Sequence, residues 1–283
     1  IKTVRKTKIS IIGLGYVGLP TALILSNSKN KLGYKYFTVY GIDRKINLIK
    51  KKLKEYSSGK TKLSEDNKLK KLFKSSLKNN KIQLSDNFNL LPKSKIILIS
   101  VGFNFSKNNQ SKQFKNLKDL ITGICFKIQK KTLVIMETTL PPGTCENFII
   151  PLMRKNLKRR GINFDKEIYF GFSFERIMPG KNYVDSVINN YRCYSGINRK
   201  SKQEIKKFLK KFINYKRFPL SELPSLKDCE AAKILENSYR AINIALIDEW
   251  TKYSIKENLN LNKIIKAIKK RETHNNLMRP GFR

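Results

Sequence analysis

Residues 8–18 read KISIIGLGYVG, a short apolar run that breaks into three glycines and then opens a helical pattern. Gly13, Gly15 and Gly18 keep a G-x-G-x-x-G spacing. Each answers a separate demand: Gly13 a tight turn, Gly15 close approach of backbone to a ligand, Gly18 close packing of helix on strand. A strand that passes through such a turn into a helix commits the chain to a β-α-β unit. Asp43 ends the next expected strand, in YGIDR, where an acid can hydrogen-bond an adenine ribose. The helix N-terminus that follows the glycines would carry the phosphate charge. The expected cofactor is therefore NAD, held by Gly13, Gly15, Tyr16, Val17, Gly18, Asp43 and Arg44. Asp43 would repel a 2′-phosphate and so favours NAD over NADP, although Arg44 and Lys45 beside it pull the other way. A glycine-rich turn with an incidental Asp is the plain alternative.

Downstream the alternation continues. The strand Lys8–Ile12 and the helical stretch Val17–Ser28 are followed by a strand at Thr38–Ile42 and Lys-rich helical segments at Lys45–Lys54 and Asp66–Lys78. Strands are expected at Ile82–Leu84, Ile96–Val101, Leu133–Glu137 and Ile168–Phe172, with helices at Leu117–Gln129 and Cys145–Lys158 between the later ones. A last strand pair is expected near Arg192–Ser195 and Tyr215–Pro219, and Ser106–Gln113 reads as the one long polar loop. Strands alternating with helices argue a parallel sheet covered on both faces. The expected class is α/β, a Rossmann-like, doubly wound, mainly parallel sheet in residues 1–220 followed by a helical domain in 221–283.

At 283 residues and 40% hydrophobic, the chain can bury a full core. Its apolar runs, such as Ile96–Val101, fall far short of the ~20 residues a bilayer requires, so no membrane partner is expected. The run Ile9–Val17 is cut by glycines and does not read as a signal peptide. Cys125, Cys145, Cys193 and Cys229 are widely separated, which indicates neither a disulfide framework nor a metal site and fits a reducing cytoplasm. The net charge of +39 invites a nucleic-acid reading, yet 47 of the 60 basic residues are Lys, spread over nearly every segment. Groove readers lean on Arg and gather charge on one face. Nonspecific binding of RNA or DNA at low salt is expected, a specific nucleic-acid partner is not.

Ser225 with Asp228 reads as a capping box, so a long helix is expected from Leu226 to Glu249. Lys233, Asn237 and Arg240 fall at i, i+4 and i+7 on one face of it. Ala231, Ala232, Ile234, Leu235, Ile242, Ala245 and Leu246 are expected to supply its apolar packing. A Lys and an Asn one turn apart can hold an oxygen that gains negative charge in a transition state. A solvated face is the plain alternative, but Lys233 and Arg240 are the only basic residues between Ala231 and Ala245. Residues 171–181, GFSFERIMPGK, set Glu175–Arg176 between an aromatic run and a Pro-Gly. Taken alone, that pair is either a strand-end ion pair or a ligand contact.

Together, IIGLGYVGLP, ETTLPPGT, SFERIMPGK and AAKILENSYRAINIALIDE resemble the UDP-glucose/GDP-mannose dehydrogenase family, in order and over essentially the whole chain. The resemblance implies oxidation of the C6 alcohol of a nucleotide sugar to a uronic acid, with NAD used twice, to make precursors of surface polysaccharide. It implies Thr139 near the nicotinamide and the catalytic water, with Pro141, Pro142 and Gly143 turning the chain after it. Glu175 becomes catalytic, and Glu175, Arg176 and Ile177 become contacts of the sugar nucleotide. Lys233 and Asn237 become donors to the developing oxyanions and, with Arg240, substrate contacts. The long helix implies a homodimer.

The departures narrow the reading. SVGFNF stands where the family has Val-Pro-Thr-Pro after the strand, so a cofactor-contacting Thr is missing. Phe174 replaces a Pro before Glu175, and Pro179 stands where glucose-type members carry a second glutamate. That wording points to a UDP-N-acetylhexosamine rather than plain UDP-glucose. The family continues beyond the counterpart of Pro280–Gly281 into a loop with a nucleophilic cysteine and a second nucleotide-binding domain. None of the four cysteines has that neighbourhood, so the chain is expected to be a fragment that binds NAD without completing the chemistry. The alternatives are a two-domain hydroxyacid dehydrogenase of the 6-phosphogluconate or 3-hydroxyisobutyrate type, or a non-catalytic NAD-binding module.

Overall fold

The computed structural model describes residues 6–45, 47–51, 55, 66–78, 82–103, 109–177, 180–278 and 280. Its strands are β1 (Thr7–Ile12), β2 (Phe37–Ile42), β3 (Ile82–Ser85), β4 (Ile96–Ile99), β5 (Leu133–Met136), β6 (Tyr169–Phe172), β7 (Arg192–Gly196) and β8 (Leu220–Glu222). They form one sheet in the order β3-β2-β1-β4-β5-β6-β7-β8. From β3 to β6 every pairing is parallel; β7 runs antiparallel to β6, and β8 parallel to β7. Such a parallel sheet must bury both faces, which is why β4 and β5 are continuous apolar runs, IILI and LVIM, with every residue buried.

Chain order reverses at β1, which pairs with β2 on one side and β4 on the other. A crevice outside the carboxyl ends of the strands opens at such a reversal. Helix α1 (Gly18–Asn27) leaves β1 there and is buried from Gly18 to Ser26. It reads GLPTALILSN, apolar on all sides rather than on one stripe, as a helix enclosed by its neighbours must be. Helix α2 (Asn67–Lys78) is started by buried Asp66, whose Oδ1 accepts from the N–H groups of Lys68 at 2.7 Å and Leu69 at 3.2 Å. The remaining helices of this unit are α3 (Gln110–Lys127), α4 (Ile150–Lys158, entered by a π-turn Cys145–Ile149), α5 (Phe164–Glu167), α6 (Tyr183–Ile188) and α7 (Arg199–Leu209).

Several expectations need correction. Helix α3 begins at Gln110 instead of Leu117, absorbing the end of the expected Ser106–Gln113 loop; residues 104–108 lie outside the described residues. The last strand is Leu220–Glu222 rather than Tyr215–Pro219, where residues 215–217 form a turn. The aromatic run around Tyr215 packs as a turn, with Lys210 over the Tyr215 ring and Tyr191 edge-on to Phe218. Of the expected Lys45–Lys54 helix, residues 47–51 are helical and 52–54 fall outside the described residues.

The chain divides into two compact units, Ile1–Glu230 and Ala231–Arg283, and the division falls within α8 (Leu226–Lys256). The capping box forms as expected: the Asp228 N–H donates to Ser225 Oγ, and the Ser225 N–H donates to Asp228 Oδ2, each at 3.0 Å. In the second unit α8 is followed by α9 (Leu261–Ile268), and Ile247, Leu261 and Ile265 form a small core with Trp250, Leu277 and Met278 against it. The apolar residues expected to pack α8 do not all do so within this chain. Leu235 and Ile242 are 66% and 68% exposed, and Leu246 is exposed as well. Among the described residues no helix is long and apolar enough to cross a membrane.

Candidate active site

At the switch point the glycine loop takes the geometry its spacing demands. Gly13 has φ +89°, and a Cβ there would lie 2.8 Å from the backbone of Val101 at the end of β4. A Cβ on Gly18 would come within 1.9 Å of the Gly13 carbonyl oxygen. A Cβ on Gly15, by contrast, would meet nothing within 4 Å, so this peptide borders open space. The loop is tied to the end of β2 by Asp43, whose Oδ2 accepts from the Leu14 N–H at 2.8 Å and whose Oδ1 accepts from the Lys45 N–H at 2.9 Å. Each carboxylate oxygen keeps acceptor capacity beyond those bonds.

A cavity of about 610 Å3 opens beside this loop, within the usual range for small-molecule sites. Gly13, Gly15, Asp43 and Arg44 of the expected set line it. Tyr16, Val17 and Gly18 continue the loop into α1, which carries no acidic residue in its first turn. An elongated ligand with a diphosphate fits this donor set: open backbone at Gly15, a helix N-terminus free of competing acids, and a carboxylate at the far strand end. The sequence reading missed the opposite wall, formed by Asp86, Asn87 and Phe88 after β3 and by Gln113, Asn116, Leu117, Asp119 and Leu120 on α3. These residues carry no motif; Asp86, Asn87 and Phe88 are marked only by following a strand, and nothing in the sequence marks those on α3. Val101, Gly102 and Phe103 of the departing SVGFNF loop also line the cavity. Phe103 stacks edge-on against Phe114, and Phe114 against Phe148, so an aromatic row runs from the loop after β4 across α3 to the π-turn before α4.

Thr139 lies beyond the end of β5, outside that lining, half-buried and with no side-chain hydrogen bond among the described residues. Its neighbour Thr138 is committed to structure, donating to the Val101 carbonyl at 2.8 Å. The Pro141-Pro142-Gly143 turn forms, with Gly143 at φ +87°. Buried Glu230 holds it, accepting from the N–H groups of Gly143 at 2.6 Å and Cys145 at 2.8 Å.

Glu175, Arg176 and Ile177 follow β6. Glu175 folds back to accept from the Ile177 N–H at 2.6 Å, and Arg176 donates to the Tyr191 carbonyl at 3.2 Å while its guanidinium lies 5.5 Å from the centre of the Phe174 ring. Glu175, Arg176 and Arg192 share a narrow recess. Arg192, which the sequence reading did not single out, forms a buried ion pair with Glu137, the first residue of ETTLPPGT. Ser100 donates to the other Glu137 oxygen at 2.6 Å, and Arg192 Nε donates to the Phe174 carbonyl at 3.1 Å. Residues after β4, β5 and β6 and within β7 are thereby joined in one polar network. Burial pushes the Glu137 carboxyl up, and Arg192 and Ser100 oppose that push.

In the second unit, Lys233 is buried and Asn237 and Arg240 are exposed on α8, with Arg240 Nη2 donating to Asn237 Oδ1 at 3.1 Å. Among the described residues no group of three His, Cys, Asp or Glu could hold a metal ion.

Residues 7–213 match the model of the UDP-glucose/GDP-mannose dehydrogenase family NAD binding domain, and residues 227–283 match that family's central domain. A UDP-N-acetyl-D-mannosamine dehydrogenase of Methanococcus vannielii is 28% identical over 274 residues, 97% of this chain and 57% of the relative. One of the same name from Pyrococcus horikoshii is 29% identical over 270 residues, 94% of this chain and 58% of the relative. The chain thus spans less than two thirds of these relatives' length. A solved UDP-D-ManNAc dehydrogenase structure from Pyrococcus horikoshii aligns with a TM-score of 0.76 at 24% identity, covering 94% of this chain and 58% of that one.

The Glu137–Arg192 pair has a pH signature. A carboxyl whose folded pKa exceeds its unfolded value stabilises the fold at low pH and loses that contribution as pH rises through the folded pKa. In Arg192→Met the cation that restrains this rise is gone, so the window extends upward from the ordinary value of 4.5. The variant is expected to lose about 3–5 kcal/mol at pH 7, with the deficit shrinking as pH falls toward that ordinary value. Urea denaturation across the pH range measures it; a deficit independent of pH would mean that Arg192 contributes packing alone.

Proposed function

Because the chain belongs to the UDP-glucose/GDP-mannose dehydrogenase family, we propose that it serves NAD-dependent oxidation of the C6 alcohol of a UDP-N-acetylhexosamine to the uronic acid. The observation that carries this reading is the cavity at the β1/β4 switch point, bounded by the glycine loop and Asp43. Bound there, NAD supplies the hydride acceptor. The work of this chain is to hold and orient. The N–H groups at the start of α1 face the diphosphate, and Asp43 takes the ribose hydroxyls. Thr139 and Glu175 hold the water, Arg176, Ile177 and Arg240 contact the sugar nucleotide, and Lys233 with Asn237 donates to the oxygen that gains charge. The N-acetylhexosamine assignment is supported by Pro179 in place of a second glutamate and by the relatives named for N-acetylmannosamine.

Asp43 sets the first test. A carboxylate facing the 2′ position repels a phosphate there, so the chain should bind NAD in preference to NADP; equal or tighter NADP binding in titration calorimetry would remove Asp43 from the role.

Helix α8 sets the second. Leu235, Tyr239 and Ile242 lie on one face within two turns of it and are all exposed, with Leu246 and Tyr253 farther along the same face. Burying such a face is favourable at roughly 25 cal/mol per Å2, and we propose that a second copy covers it. Sedimentation at micromolar concentration should give a dimer; a monomer under those conditions contradicts the proposal.

The third concerns Lys233. In an enzyme competent for turnover, Lys233→Ala should lower kcat about 100- to 1000-fold, the usual cost of one preorganised donor to an oxyanion, with NAD affinity unchanged. A solvated surface lysine would cost under ~1 kcal/mol. Steady-state kinetics on a UDP-N-acetylhexosamine decides, and a variant keeping half of the wild-type kcat excludes Lys233 from the chemistry.

A further inference from the structure

Pro20 leaves a gap in the first turn of α1. In an α-helix the carbonyl of residue i accepts from the N–H of residue i+4, and proline has no N–H to give. The rungs on either side form: Leu19 N–H donates to the Gly15 carbonyl and Thr21 N–H to the Val17 carbonyl, both at 3.2 Å. The acceptor that Pro20 cannot serve is the Tyr16 carbonyl, inside the glycine loop. Tyr183 serves it instead, its hydroxyl donating to that oxygen at 2.6 Å from 167 residues away.

Tyr183 is built for the task. It is fully buried, and its ring meets that of Tyr16 edge-on at 5.7 Å. The start of α6, which carries it, is fixed by the Val184 N–H donating to buried Asp66 at 2.7 Å. A planar trans peptide points its C=O and N–H in opposite senses. Holding the Tyr16 carbonyl therefore also fixes the direction of the Val17 N–H, the last donor before α1 begins.

We propose that Tyr183 is a positioning residue for the dinucleotide loop: by holding the carbonyl that Pro20 leaves without a helical donor, it fixes the Tyr16–Val17 peptide so that its N–H faces the ligand's diphosphate. The proposal rests on the NAD reading above. It also gives a role to the segment just after GFSFERIMPGK, which that reading leaves without one.

The test measures NAD Kd by titration calorimetry at a temperature where every variant is folded. Tyr183→Phe keeps the ring and removes only the hydroxyl; it should weaken NAD about three- to tenfold, the range of one hydrogen bond. Tyr194→Phe, which removes another buried tyrosine's bond, to Glu222, is the control and should bind as wild type does. Pro20→Ala restores an N–H to the first turn. Adding Tyr183→Phe to Pro20→Ala should therefore cost less than about twofold, a departure from additivity that reports the shared carbonyl. A merely structural tyrosine would lower the unfolding midpoint and leave Kd alone. Unchanged Kd in Tyr183→Phe, or an equal loss whether Tyr183→Phe is made in the wild type or on top of Pro20→Ala, overturns the proposal. Wild type failing to bind NAD at all overturns the cofactor reading and this inference with it.

Discussion

Helix α1 can begin where it does only because position 18 has no side chain. With a Cβ 1.9 Å from the Gly13 carbonyl oxygen, the helix would have to move off the strand end, and its N-terminus would no longer meet the cavity. Everything downstream inherits that contact. The apolar body of α1 is buried from Gly18 to Ser26, so a shift of its start would displace a core element rather than a surface one. The close approach of Gly13 to Val101 locks the same loop to the end of β4, which makes the cleft walls mutually dependent.

A chain with 21 acidic residues against 60 basic ones sets three carboxylates, Asp43, Asp86 and Asp119, on the lining of this cavity and fastens its framework with others beneath it. Asp66, Glu137 and Glu230 are all buried, and each fastens something the site needs. Asp66 starts α2 and holds the start of α6, Glu137 gathers Ser100 and Arg192, and Glu230 closes the turn after Thr139. Buried carboxylates are tolerable only when their oxygens are occupied, and here the occupying donors are backbone N–H groups, a hydroxyl and a guanidinium. Glu175, by contrast, is only partly buried. The division is physical: oxygens enclosed by donors hold the scaffold, whereas an acid at the edge of a recess can still meet a ligand.

The sheet is legible in the sequence because it is written locally. Apolar runs bounded by turns, the glycine spacing and Asp43 are all short-range signals, and the parallel strands follow from them. What stays hidden depends on contacts between distant residues. Nothing around Arg192 in the sequence announces that Glu137 lies against it, and Tyr183 carries no motif linking it to Tyr16. Helices α6 and α7 escape notice because one is six residues long and the other is so rich in Lys that it reads as a solvated stretch. β8 is misplaced because LSE has little strand character; it is an edge strand set by its pairing with β7. The exposed Leu235 and Ile242 show the converse limit, since an apolar face in a sequence does not say whether its partner lies in the same chain.

The thiols complete the chemical picture. All four cysteines are free and buried. Burial pushes Cys125 up to about 12 and raises Cys145 and Cys229 as well, with Glu230 adding to the rise at Cys145. A thiol acts as nucleophile through its thiolate, and reactive cysteines sit in partly exposed, electropositive surroundings that lower the pKa. Here desolvation works the other way in a strongly basic protein, because distant lysines in water are screened while the buried thiol is not. Two successive oxidations at one carbon would need a nucleophile to hold the aldehyde between them. Cys125, Cys145 and Cys229 are poorly suited to that role, because their burial favours the thiol over the thiolate that would have to attack.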